Sequence, residues 1–143
     1  MKYKIAVSAL AVGLAGPAMA EDVSGDATAG ASVFMQCQTC HVVKNDDGEL
    51  LAGRAGMVGP NLYSILGKPA GSVANYPRYS PAMKAAAEKG LVWTEENLVA
   101  YIANPNGFLT TYLEDPGARG SMPIGAPNEK AAADVAAYIT SLE

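Results

Sequence analysis

The chain has 143 residues, with 14 Asp and Glu against 10 Lys and Arg, a formal charge of −4 and one histidine. That balance excludes a nucleic-acid binder, which needs a clustered basic face. The length predicts one domain, small enough to bury only a modest core and to gain from a staple or a cofactor.

Residues 1–20 predict a cleaved signal peptide. Lys2 and Lys4 precede an apolar run from Ile5 to Leu14, and Pro17 leads into Ala18-Met19-Ala20, a small-x-small cleavage signal. The run is shorter than the roughly 20 residues that span a bilayer, which argues against an uncleaved anchor. The expected mature chain, residues 21–143, is an exported, periplasmic protein with no membrane insertion. Lys2 and Lys4 leave with the signal, so eight basic residues face fourteen acidic ones.

Residues 26–41 predict a helix, with Ala27, Ala29, Ala31 and Val33 favouring or tolerating it and Phe34 as an apolar anchor. Residues 42–61 predict loop, with Asn45-Asp46-Asp47-Gly48 as a turn and Gly53, Gly56, Gly59 and Pro60 behind it. Residues 67–80 are broken by Gly67, Pro69, Gly71 and Pro77. Pro81 opens a short helix that stops at Gly90. Thr94 is the expected N-cap of the next helix, with Glu95 and Glu96 in its first turn. Leu98, Tyr101 and Ile102 share one face, and the helix ends at Ala103, before Asn104-Pro105.

Residues 104–127 predict one long loop, and a loop of that length in a small domain implies function. A last helix starts near Asn128, with Val135, Tyr138, Ile139 and Leu142 repeating at i, i+3, i+4, i+7. No strand is predicted. The expected fold is all-α, three or four helices on long loops without an evident core, and a large apolar cofactor would supply the missing centre.

The only two cysteines stand in Cys37-Gln38-Thr39-Cys40-His41. Cys-x-x-Cys-His is the attachment signature of a c-type haem: two thiols add across two vinyl groups, and the adjacent imidazole becomes the proximal iron ligand. A thioredoxin-like pair would sit beside a βαβ pattern, and none is visible. A zinc site would need four ligands, and the chain has neither a second histidine nor a third cysteine. With one histidine, methionine is the remaining common sixth ligand. Met19 leaves with the signal and Met35 is too near the attachment motif. Met57 and Met83 can serve, but are read with Met35 as packing residues. Met122, far along the chain and followed by Pro123, is the expected ligand.

Taken together, Gly30, Phe34, Cys37-x-x-Cys40-His41, Gly59-Pro60-Asn61-Leu62, Trp93, Tyr101-Ile102-x-Asn104-Pro105, Met122 and Ala137-Tyr138 resemble a class I c-type cytochrome, most like the larger bacterial cytochrome c2 proteins. The resemblance implies a fold of three to five helices wrapped around one covalently bound haem c. It also implies that the Pro60 carbonyl meets the second nitrogen of His41, that Tyr79 and Trp93 donate to a haem propionate, and that Tyr101 lies near the methionine sulfur. Gly30 and Phe34 would contact Tyr138 between the first and last helices.

The function so implied is that of a monomeric electron carrier, not an enzyme, moving single electrons from a cytochrome bc1-type complex to a reaction centre or a terminal oxidase or reductase. A five-coordinate gas-binding haem protein would carry its motif near the C-terminus. A haem peroxidase would need distal acid–base groups, and the one histidine is already used. Lys68, Ser121 and Ile124 depart from the family pattern, and the basic docking ring is thin.

Overall fold

The computed structural model describes residues 24–54 and 58–143; the predicted signal segment, 1–20, and Met57 lie outside these residues. Five helices and one small hairpin make up the regular structure among them: α1 (Ala27–Cys37), β1 (Val42–Lys44), β2 (Leu50–Gly53), α2 (Pro81–Glu88), α3 (Glu95–Ala103), α4 (Pro105–Leu113) and α5 (Glu129–Thr140). No helix among the described residues is long and apolar enough to cross a membrane.

Each helix starts where a side chain can take its orphan amide protons. Asp26 accepts from the amides of Thr28 and Ala29, Ser80 from Met83, Thr94 from Asn97, Asn104 from Gly107 and Asn128 from Ala131. Such a cap is worth about 0.5–2 kcal/mol. Gly90, at φ +93°, turns the chain out of α2, a left-handed conformation that glycine adopts without a steric cost.

Two sequence expectations fail here. Residues 42–61 are not all loop, and a strand pair exists: β1 and β2 pair antiparallel, Val43 opposite Ala52, with a bulge between Val43 and Lys44. The predicted Asn45–Gly48 turn is the tip of this hairpin. Strands of three and four residues are too short to show a period. The expected loop at 104–127 also contains α4. Asn104-Pro105 does end α3, yet Asn104 then caps α4 and Pro105 takes its first position, where its missing N–H costs nothing. Gly107 masked the helix in the sequence.

α1 and α5 pack together most extensively, and α5 also packs on α3. Gly30 is the crossing point: a Cβ there would run into the Asp134 carbonyl and the Tyr138 side chain. Phe34 meets the Tyr138 ring at 5.4 Å between centroids. The core runs from this crossing through Leu98, Ile102, Leu109, Val135 and Ile139.

Asp134 is 5 % exposed, the most deeply buried charged residue described. Lys130 Nζ lies 2.7 Å from one of its oxygens, and the Asp26 amide donates to the other at 2.9 Å. The Lys130 ammonium foremost, then the Asp26 amide, hold this carboxyl below its ordinary 3.8. A depressed folded-state value means stability present above pH 3.8 and lost as pH falls through the folded value. Asp134→Asn is therefore expected to melt at lower temperature at pH 7 and to lose less than the parent chain on acidification to pH 3, by thermal melts across pH.

Candidate haem site

The attachment motif sits at the C-terminal end of α1. Cys37 is its last residue, and the amides of Cys40 and His41 both donate to the Cys37 carbonyl, at 3.0 and 2.9 Å. This tight turn presents two unpaired, half-buried thiols and one imidazole from five consecutive residues. Burial first, and the neighbouring Cys40 second, raise the Cys37 thiol.

His41 is fixed from outside the motif. Its Nδ1 lies 2.9 Å from the Pro60 carbonyl oxygen. A carbonyl only accepts, so Nδ1 carries the proton and Nε2 keeps its lone pair, the arrangement of a metal-ligating histidine. Burial lowers the imidazole below its ordinary 6.5, and the Pro60 contact opposes this in part. The ring is therefore neutral at pH 7. Gly59 lies flat against it, and a Cβ there would overlap the ring.

Asn61 holds this segment against β1. It accepts from the Lys44 amide at 2.9 Å and donates to the Lys44 carbonyl at 2.7 Å, while the Leu62 amide donates to Val42. The hairpin missed by the sequence reading thus positions the Pro60 carbonyl.

The segment that carries Met122 is pinned at both ends. The Gly120 amide donates to Asn106 of α4 at 2.9 Å, and the Ala126 amide donates to the Ile102 carbonyl of α3 at 2.8 Å. A Cβ at Gly125 would press into the Ile102 and Ala103 carbonyls, so the chain can approach α3 this closely only with glycine. Trp93 is held by paired backbone bonds with residues 67 and 68, both 2.9 Å.

These elements enclose an open-mouthed, largely apolar cavity of about 280 Å³. Cys37, Cys40, His41, Pro60, Tyr79, Trp93, Tyr101 and Met122 all line it, so the eight residues singled out from the sequence converge on one space. Tyr79 accepts from the Val73 amide at 3.2 Å, which leaves its own proton to donate. Burial, foremost, raises the Tyr101 phenol to about 12. Met83 also lines the cavity, 5 % exposed; Met35 is 60 % exposed and lies outside it.

Two departures from the family pattern have local explanations. Lys68 turns to the Tyr63 carbonyl at 3.0 Å, and Ile124, 72 % exposed, does not line the cavity. The sequence reading missed Tyr76. Its hydroxyl donates to the Val58 carbonyl at 2.6 Å, and its ring meets Tyr79 edge-on. The run Tyr76-Pro77-Arg78-Tyr79 was the available signal.

The donor set fits a haem c: two thiols and a pinned neutral imidazole at one end, a thioether on a separate segment, and apolar walls between them. Helices laid around such a cavity define a class I c-type cytochrome. A cytochrome c2 from Rhodovulum adriaticum is 51% identical over 121 residues, spanning 85% of this chain and 95% of that protein. One from Cereibacter sphaeroides is 43% identical over 140 residues, 97% of this chain and 95% of that protein. The X-ray structure of cytochrome c2 from Rhodobacter sphaeroides superposes with a TM-score of 0.79 at 43% identity, over 82% of this chain and 96% of that one. No family model matches the chain. The chain belongs to the cytochrome c2 family, whose members are electron-transfer proteins rather than enzymes and carry covalently bound haem c.

Proposed function

We propose that this chain is a soluble, periplasmic, monomeric carrier with one haem c, shuttling single electrons between a cytochrome bc1-type complex and a reaction centre or a terminal oxidase or reductase. One observation carries the reading: the cavity gathers Cys37, Cys40, His41 and Met122 from two distant parts of the chain. Cys37 and Cys40 would carry the two thioethers, and His41 Nε2 and the Met122 sulfur would fill the axial positions. Haem bound there supplies the one-electron chemistry.

The protein supplies the environment. Pro60 orients the imidazole and raises its basicity. Tyr79 and Trp93 would donate to the propionates, and Tyr101 would lie beside the methionine sulfur. With His41 and Met122 both holding the iron, there would be no open place on it for a substrate. A partly open mouth gives a transient partner access, as weak redox encounters of small buried area require.

The test uses the exported, purified protein. Haem should stay on the chain in acid acetone. The protein should also be reduced by a bc1-type complex and reoxidised by a reaction centre or oxidase, one electron per chain. Haem that extracts, or a loaded protein inert toward both kinds of complex, would overturn the proposal.

A further inference from the structure

One cation stands at the cavity. Among the described residues, Arg78 is the only charged residue that lines it, since His41 is neutral at pH 7. Four of the other basic side chains are turned onto the chain itself. Lys68 meets the Tyr63 carbonyl, Lys89 meets Glu114, Arg119 meets the Pro116 and Ala118 carbonyls, and Lys130 meets Asp134. Lys44, Arg54 and Lys84 do not line the cavity. Arg78 differs from both groups. It lines the cavity and is exposed, which puts it at the mouth. Among the described residues its guanidinium has neither a hydrogen bond nor an ion pair.

The backbone that carries Arg78 is tied to two neighbouring segments. Ser121 Oγ, next to Met122, donates to the Arg78 carbonyl at 3.4 Å. Two residues before Arg78, the Tyr76 hydroxyl donates to the Val58 carbonyl at 2.6 Å, just ahead of Gly59-Pro60. Burial, foremost, raises the Tyr76 phenol, and the Arg78 cation opposes this. The guanidinium therefore lies near a hydroxyl on the cavity wall.

We infer that Arg78 is a haem-binding residue, its guanidinium pairing with a propionate carboxylate at the mouth of the cavity. The inference rests on the haem-carrier reading. A haem c brings two carboxylates into a space whose walls are largely apolar. A carboxylate against such walls is costly unless an opposite charge meets it. Tyr79 and Trp93, proposed above as propionate donors, carry no charge. The planar guanidinium fork matches a carboxylate with two parallel hydrogen bonds. Nothing else on the cavity's lining among the described residues offers a cation. Lys68, one of the departures from the family pattern, is held at Tyr63 and does not line the cavity.

The pairing has an electrostatic consequence. A cation beside the haem opposes the extra positive charge of ferric iron, so it favours the ferrous form over that with an unpaired propionate. A pair drawn partly out of water is screened by salt much less than an exposed charge. An arginine that faces solvent and waits for a partner's carboxylate would behave in the opposite way, with its influence on the iron removed by salt.

The test uses the purified holoprotein, with Arg78→Gln, Arg78→Lys and Lys84→Gln. The last removes the same charge from an exposed residue away from the cavity. Intact mass first establishes that the haem is attached; a haem-free chain would sink the carrier reading, whereas the results below bear on Arg78 alone. The propionate-bending band in the resonance Raman spectrum should shift in Arg78→Gln, return part of the way in Arg78→Lys and stay in place in Lys84→Gln. At a fixed solution potential, Arg78→Gln should lower the ferrous-to-ferric ratio several-fold, and 1 M salt should leave most of that change. A propionate band indifferent to Arg78→Gln would overturn the inference. So would a ferrous-to-ferric ratio that does not fall, or a fall that added salt abolishes, which would leave Arg78 facing solvent for a partner's carboxylate.

Discussion

Replacing Cys37 and Cys40 together with alanine should give a chain that does not fold. The cavity is not a cleft on a self-sufficient core. Leu98, Tyr101 and Ile102 of α3, Val135 and Ile139 of α5, and Ile65 and Trp93 belong both to its wall and to the buried apolar cluster. Without a covalently held group these side chains face a void. At about 24 cal/mol per Å³ of residual cavity, a void of about 280 Å³ costs roughly 7 kcal/mol. That is the order of a domain's entire stability, about 5–15 kcal/mol. Flooding the space instead would wet apolar walls at similar expense. Far-UV circular dichroism and thermal melting of the double variant check this. A cooperative transition with native helix content would mean that the helices pack without help from the cavity's occupant. Single variants, which keep one attachment point, should fold and melt lower.

The need for a central group was legible in the sequence because the helices are short and the connections long, so little apolar periodicity was left to build a core. The helix starts were legible wherever a cap residue stood before a run of helix formers, as at Thr94 and Asn128, and wherever proline opened the helix, as at Pro81. Pro105 was misread because proline carries two meanings. It stops the helix before it and starts one after it, and Gly107 removed the propensity that would have decided between them. The hairpin was misread for want of length: with Val42-Val43 on one side and Leu50-Leu51 on the other, the turn was visible but the strands were not. The eight site residues were reached from motif and family resemblance. What the sequence could not express was how their positions are enforced. Asn61 clamping Pro60 to β1, Gly59 against the imidazole, and Gly120 on Asn106 are contacts between residues far apart in the chain or too small to signal anything alone.

Met122→Ala should leave the fold standing and open the iron. The segment around it is held by backbone groups that the substitution does not touch: the Gly120 amide on Asn106, the Ala126 amide on Ile102, and the close seat of Gly125 on α3. The variant therefore removes one thioether without moving the loop, and the attachment proposed at Cys37, Cys40 and His41 would retain the haem. Three changes should appear together. The weak absorption band near the red end, which reports ferric iron bonded to thioether sulfur, should vanish. The ferrous form should bind carbon monoxide, which a six-coordinate parent excludes. The potential should fall by on the order of 0.2 V, a fraction of the ≈ 0.8 V that axial ligation spans. Among the described residues, the one rival thioether on the cavity wall is Met83, which is buried in α2, where its amide meets the Ser80 cap at 3.1 Å. Swinging its side chain toward the iron would empty its own place in the core, so it should not replace Met122. A Met122→Ala protein that keeps the red-end band and refuses carbon monoxide would move the sixth ligand to Met83 or Met57. Met83→Leu in the same background then separates the two, since loss of the band would identify Met83.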